Sequence, residues 1–144
     1  MFKSVLVATD GSATASEAVR VATELAEALH ATLHIASVYG SGDTSAMAWS
    51  GMSIPYVEGD DPGAEAAGHT EAMAARARAK GLEVKTHVMP GFVVERILDI
   101  AVKEQVDLIV VGNKGMRGLK RVLGSVPNAI AHSAPCGVLI VNTT

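Results

Sequence analysis

The stretch that decides the fold is Leu108-Ile109-Val110-Val111-Gly112-Asn113-Lys114-Gly115-Met116-Arg117-Gly118-Leu119-Lys120-Arg121-Val122-Leu123-Gly124-Ser125-Val126-Pro127. Its first four residues are apolar without a break. A half-exposed strand alternates polar and apolar residues, so this run predicts a central strand covered on both faces, as in a parallel sheet. The run then enters a glycine-rich segment carrying Lys114, Arg117, Lys120 and Arg121 and no acid. Gly124-Ser125 starts a short helix reaching Ser133, with Pro127 tolerated in its first turn.

Working outward, the same alternation of strand and helix recurs. Val138-Leu139-Ile140-Val141 is the last strand. Upstream, Val94, Ile97, Leu98 and Ala101 give one helical face, and Val84 to Val88 alternates as a half-exposed strand should. Glu65 to Lys80 reads as an alanine-rich helix stopped by Gly81. Val5-Leu6-Val7-Ala8 is strand one, Leu33 to Tyr39 strand two. Between them Ala15, Ala18, Val19, Ala22, Leu25, Ala26 and Leu29 repeat at the helical period after the N-cap candidate Ser12. Residues 40–63 are rich in Gly, Ser, Asp and Pro. They also hold Met47, Trp49, Met52, Ile54 and Tyr56, more apolar groups than a plain solvated linker carries, which predicts a partly ordered flap or contact surface, with simple disorder as the alternative. Asp43, Asp60 and Asp61 read as solvated charges in that loop.

Five strands with helical crossovers make an α/β protein with an open, doubly wound parallel sheet, a Rossmann-like arrangement. A covered fourth strand and a half-exposed third strand together predict the order 3-2-1-4-5. Strands one and four are then neighbours whose following helices leave to opposite faces. Ligands of such sheets bind at that switch point, outside the strand carboxyl ends. Thr9-Asp10 and Gly112-Asn113 are therefore expected at one crevice. The 144 residues fit a single domain, 1–144.

The crevice chemistry is that of an anion cradle. Glycines let main-chain amides approach a ligand, cations attract it, and a helix start presents free amides to a phosphate. The pattern is neither a Walker loop nor a dinucleotide fingerprint, because strand one is followed by Asp10-Gly11-Ser12. Asp10 has two readings, as a cap of helix one or as a contact to ligand or Mg²⁺. His30, His34, His69, His87 and His132 are scattered without metal-ligand spacing, and no nucleophile–base set is visible. No catalytic residue and no metal site are expected. Cys136 is the only cysteine and reads as a small buried hydrophobe. The formal net charge of −3 speaks against broad nucleic-acid or anionic-membrane binding. No signal-peptide pattern or membrane-length apolar run occurs, so a cytoplasmic location is expected.

Gly112-x-x-Gly115, a spacer, and Gly124-Ser125 resemble the nucleotide-binding signature of the universal stress protein family. Val7-Ala8-Thr9-Asp10-Gly11-Ser12 is similar to that family's first strand and turn, and residues 90–141 follow its closing pattern, with Ser133-Ala134-Pro135-Cys136 before the last strand. The spacer Met116 to Leu123 has eight residues, one fewer than is usual. The resemblance implies that Ala8, Thr9 and Asp10 lie near an adenosine and that Val38 offers backbone groups to the adenine edge. It implies that Gly112, Asn113, Lys114, Gly115, Met116 and Arg117 wrap ribose and phosphates, and that Gly124, Ser125 and Val126 hold the phosphate tail. ATP, with or without Mg²⁺, is the implied ligand.

The last strand is apolar on both faces yet falls at a sheet edge. Pairing with the same strand of a second subunit would cover it, so a homodimer through Val138, Leu139, Ile140 and Val141 is expected, as the resemblance also implies. The functional expectation is an ATP-binding regulatory protein of stress signalling. A slow ATPase and a nucleotide-independent dimeric interaction module are the alternatives.

Overall fold

Side chains alternate across a strand, and here the alternation sorts the core into two layers. The computed structural model describes residues 1–40, 61–113 and 125–143. Its strands are β1 (Ser4–Ala8), β2 (Thr32–Tyr39), β3 (Val84–Pro90), β4 (Leu108–Gly112) and β5 (Gly137–Val141). The helices are α1 (Ala13–Leu29), α2 (Pro62–Ala79), α3 (Val93–Lys103) and α4 (Ser125–Ser133). All strand pairs are parallel, in the order β3-β2-β1-β4-β5. This is the order expected from the covered run at 108–111 and the half-exposed run at 84–88.

Val5, Val7, Leu33, Ile35, Leu108 and Val110 pack with α1 and α2 on one face. Leu6, Ala8, Ala36, Val38, Ile109 and Val111 pack with α3 and α4 on the other. Helix α1 buries Ala18, Ala22 and Ala26, small side chains that let it lie close to β1 and β4. Helix α3 buries Val93, Ile97, Ile100 and Ala101, spaced as one apolar stripe. Helices α1 and α4, which follow β1 and β4, thus lie on opposite faces of the sheet.

Two boundaries differ from the sequence reading. Helix α2 begins at Pro62, because the Asp61 carboxylate accepts a hydrogen bond from the Ala64 amide at 3.0 Å and Pro62 occupies the first turn. Asp61 is therefore an exposed charge, as expected, but one that caps a helix. Strand β3 runs on to Pro90, which an edge strand tolerates, and the Gly91 amide donates to the Tyr39 carbonyl at 2.9 Å. The expected flap, with Met47, Trp49, Met52, Ile54 and Tyr56, lies almost wholly outside the described residues.

Asp107 ties the start of β1 to the start of β4. One carboxylate oxygen accepts from the Lys3 and Ser4 amides at 2.8 and 3.0 Å, while the Asp107 amide donates to the Ser4 carbonyl at 2.9 Å. These bonds fix the β1–β4 register at the end of the sheet opposite the crevice.

Candidate functional site

Strands β1 and β4 pair Val5 with Leu108, Leu6 with Ile109 and Val7 with Val110. Continued two places, that register sets Thr9 level with Gly112, so the two turns leave the sheet side by side. Thr9 is fully buried, and its amide extends the β2 ladder by donating to the Ala36 carbonyl at 2.8 Å. Its hydroxyl accepts from the Gly11 amide at 3.1 Å. Gly11 has φ +83°, a left-handed turn that glycine enters without a Cβ penalty.

Asp10 does not cap α1. Ser12 does, accepting from the Ala15 amide at 3.2 Å. One Asp10 oxygen accepts from the Ser12 amide at 2.8 Å, which holds the carboxylate at the mouth of the turn, half-buried. Of the two sequence readings, the capping one falls away. Ala8 and Val38 are buried on the α3/α4 face, next to the start of α3 at Val93.

Gly112 ends β4 opposite Val141, and the Asn113 amide donates to the Val141 carbonyl at 2.8 Å. The Asn113 side chain turns to the end of the chain, accepting from the Thr143 amide and hydroxyl, each at 3.0 Å. Its main chain, not its carboxamide, is what it brings to the crevice. Ser125 is exposed at the first position of α4, while Val126 and Pro127 are buried beneath it. Lys114, Gly115, Met116, Arg117 and Gly124 lie outside the described residues, as do the other residues of the spacer.

Among the described residues, then, the crevice joins the turn after β1, the ends of β2 and β4 and the first turn of α4. It combines the first-turn amides of α4, which a helix leaves without internal partners, with the Asp10 carboxylate and the exposed Ser125 hydroxyl. Among the described residues no three His, Cys, Asp or Glu side chains converge to hold a metal ion. A divalent ion accompanying a nucleotide would draw its ligands from phosphate oxygens, with Asp10 as the available side chain.

Sequence spacing missed two histidine contacts. His34 and His87 meet nitrogen to nitrogen at 3.0 Å across β2 and β3, with ring planes 21° apart. One imidazole must carry its proton on the facing nitrogen and the other must not. Burial, and then the charge of the other ring, holds His34 below the usual imidazole range; burial does the same to His87. Lys85 pushes both the same way and Glu104 opposes. The two lie 53 positions apart, so only the strand register, with His87 opposite Ala36, could have paired them. His69, on α2, stands against Gly11. Cys136 is half-buried, and burial followed by the Asp107 charge raises its thiol above the usual range, as befits an unreactive packing residue.

No helix among the described residues is long and apolar enough to cross a membrane. The family model of the universal stress protein family matches residues 1–142. A universal stress protein of Mycobacterium tuberculosis is 37% identical over 146 residues, spanning 99% of this chain and 98% of that one. Universal stress protein A homolog 1 of Coxiella burnetii is 33% identical over 141 residues, 97% of this chain and 96% of that one. A crystal structure of a universal stress protein in complex with cAMP superposes with a TM-score of 0.75 at 30% identity, covering 99% of this chain and 98% of that one. With a strand order, a β1–β4 switch point and a whole-length match all pointing the same way, the chain belongs to the universal stress protein family.

Proposed function

We propose that this protein binds an adenine nucleotide, ATP with Mg²⁺, in the crevice between the turns after β1 and β4, and that occupancy sets its conformation or its choice of partner. The carrying observation is the glycine and cation run with Gly124-Ser125, which follows β4 directly in the sequence, together with the pairing that brings the end of β4 beside the Thr9-Asp10 turn. The phosphates lie on main-chain amides of the 112–117 segment and the first turn of α4, where Ser125 donates its hydroxyl. Asp10 faces the ribose or the metal ion, and Val38 supplies the adenine edge. A related protein crystallised with cAMP supports the class of ligand. No group on the described residues is placed as a general base for water, so a regulatory role is favoured over rapid turnover.

The same protein is proposed to work as a cytoplasmic, single-domain homodimer. Leu139 and Ile140 on β5 each keep 37% of their surface exposed, on an edge strand with unpaired main-chain groups. Burying that edge against its two-fold mate removes both liabilities.

Equilibrium dialysis against labelled ATP with Mg²⁺ tests the nucleotide reading. Saturable binding, lost in Gly115→Val, is the expected result. An absence of binding at millimolar ATP refutes it.

A further inference from the structure

His69 belongs to no motif, yet its ring closes the turn on which the proposed site is built. A Cβ placed on Gly11 would lie 2.5 Å from His69 Nδ1 and 2.9 Å from Nε2. The imidazole therefore occupies the space that a side chain at position 11 would need. Real Cβ contacts do not approach so closely, so a side chain at position 11 would force the His69 ring to move.

The contact is one of shape. His69 Nδ1 is buried and has no hydrogen-bond partner. Nε2 stands 3.9 Å from Glu65 Oε1, too far for a hydrogen bond. Around the turn itself, the Gly11 amide bonds the Thr9 hydroxyl and the Ser12 amide bonds Asp10. Those bonds give the turn its local form. Thr9 is held by the β2 ladder and Ser12 by the first turn of α1, so Asp10 and Gly11 are the part of the turn left to shift towards α2, and the His69 ring fills the space they would take.

We infer that His69 is a positioning residue of the nucleotide site, a brace from α2 that holds the Thr9–Ser12 turn so that Asp10 meets the ligand. The inference rests on the nucleotide reading above. It makes α2 part of the site: whatever moves the turn on binding must also move His69. The brace needs bulk and not charge, so a residue of similar volume replaces it.

The test is calorimetric titration of ATP with Mg²⁺ into wild type, His69→Ala and His69→Gln, with the His69 ring resonance followed by NMR in the wild type. Loss of a preorganised turn is expected to weaken ATP binding on the order of tenfold in His69→Ala. His69→Gln, which keeps most of the volume and cannot titrate, is expected to stay within about twofold of wild type by the same reasoning. The ring resonance is expected to shift with the same saturation curve as the heat. Thermal melting of each variant separates a weakened site from a weakened fold.

ATP binding of normal strength in His69→Ala overturns the brace, as does a ring resonance that stays still while ATP saturates the protein. Equal loss in His69→Ala and His69→Gln assigns the role to the imidazole's chemistry and also overturns it. Failure of wild type to bind ATP removes the nucleotide reading itself, an outcome distinct from the others.

Discussion

Replacing Gly11 with alanine separates two effects that the structure superimposes there. The first is conformational. At φ +83° an L-residue is strained by roughly 1–2 kcal/mol. The second is steric. The new Cβ would meet the His69 ring at well under contact distance, and if the ring is held in place, as the brace requires, overpacking of this kind costs about 1–3 kcal/mol. Alanine also narrows the unfolded ensemble, which returns about 0.4–1 kcal/mol. Gly11→Ala should therefore destabilise the protein by roughly 2–4 kcal/mol. In a His69→Ala background the steric part disappears and only about 1 kcal/mol should remain. Urea unfolding of the four proteins, with unchanged m-values, gives the coupling directly, and a value of about 1–3 kcal/mol is expected for groups in contact. If Gly11→Ala costs the same in both backgrounds, the ring gives way freely to the turn, and the brace has no physical basis.

The imidazole pair gives a pH dependence. His34 and His87 are both held below the ordinary imidazole value of 6.5, so the unfolded chain takes up protons first as the pH falls. Stability is thus full above that value and is lost as the pH drops through the lower folded values. His87→Gln should flatten the slope of stability below pH 6.5, and an unchanged slope in denaturant titrations would remove the pair as its source. Asp107→Ala strips two main-chain bonds from the start of β1 and should lower stability by about 1–2 kcal/mol in urea melts, without altering nucleotide binding at the far end of the sheet. Ile140→Asp puts a charge on the exposed β5 edge and should convert a dimer to a monomer at micromolar concentration by light scattering. A wild-type monomer under those conditions would contradict the dimer.

The sheet order was legible because two strands differ in how they are covered. The run at 108–111 has no polar side to show, and β3, with its alternation, sits half-exposed at the edge. Composition alone assigns Pro62-Gly63 to the loop of residues 40–63 and starts the helix at Glu65. Proline in a first turn after an aspartate cap marks a beginning instead. Asp10 and Asn113 illustrate a different limit. Their positions at the crevice follow from strand ends, but their hydrogen bonds, to the Ser12 amide and to Thr143, depend on turn geometry and on where the chain terminus runs. The contacts of His69 with Gly11 and of His34 with His87 cross from one element to another. No local period records such contacts. Only a register or a packed helix brings them about.

The central claim is that the two turns at the β1–β4 switch point receive an adenine nucleotide. Amide chemical-shift mapping during an ATP titration with Mg²⁺ tests it most directly. The expected result is saturable shifts at Thr9, Asp10, Gly11, Val38, Asn113, Ser125 and Val126. Shifts confined instead to the groove between α1 and α2, lined by Val19, Arg20, Thr23, Met73, Arg76 and Lys80, or none at millimolar ATP, would contradict it.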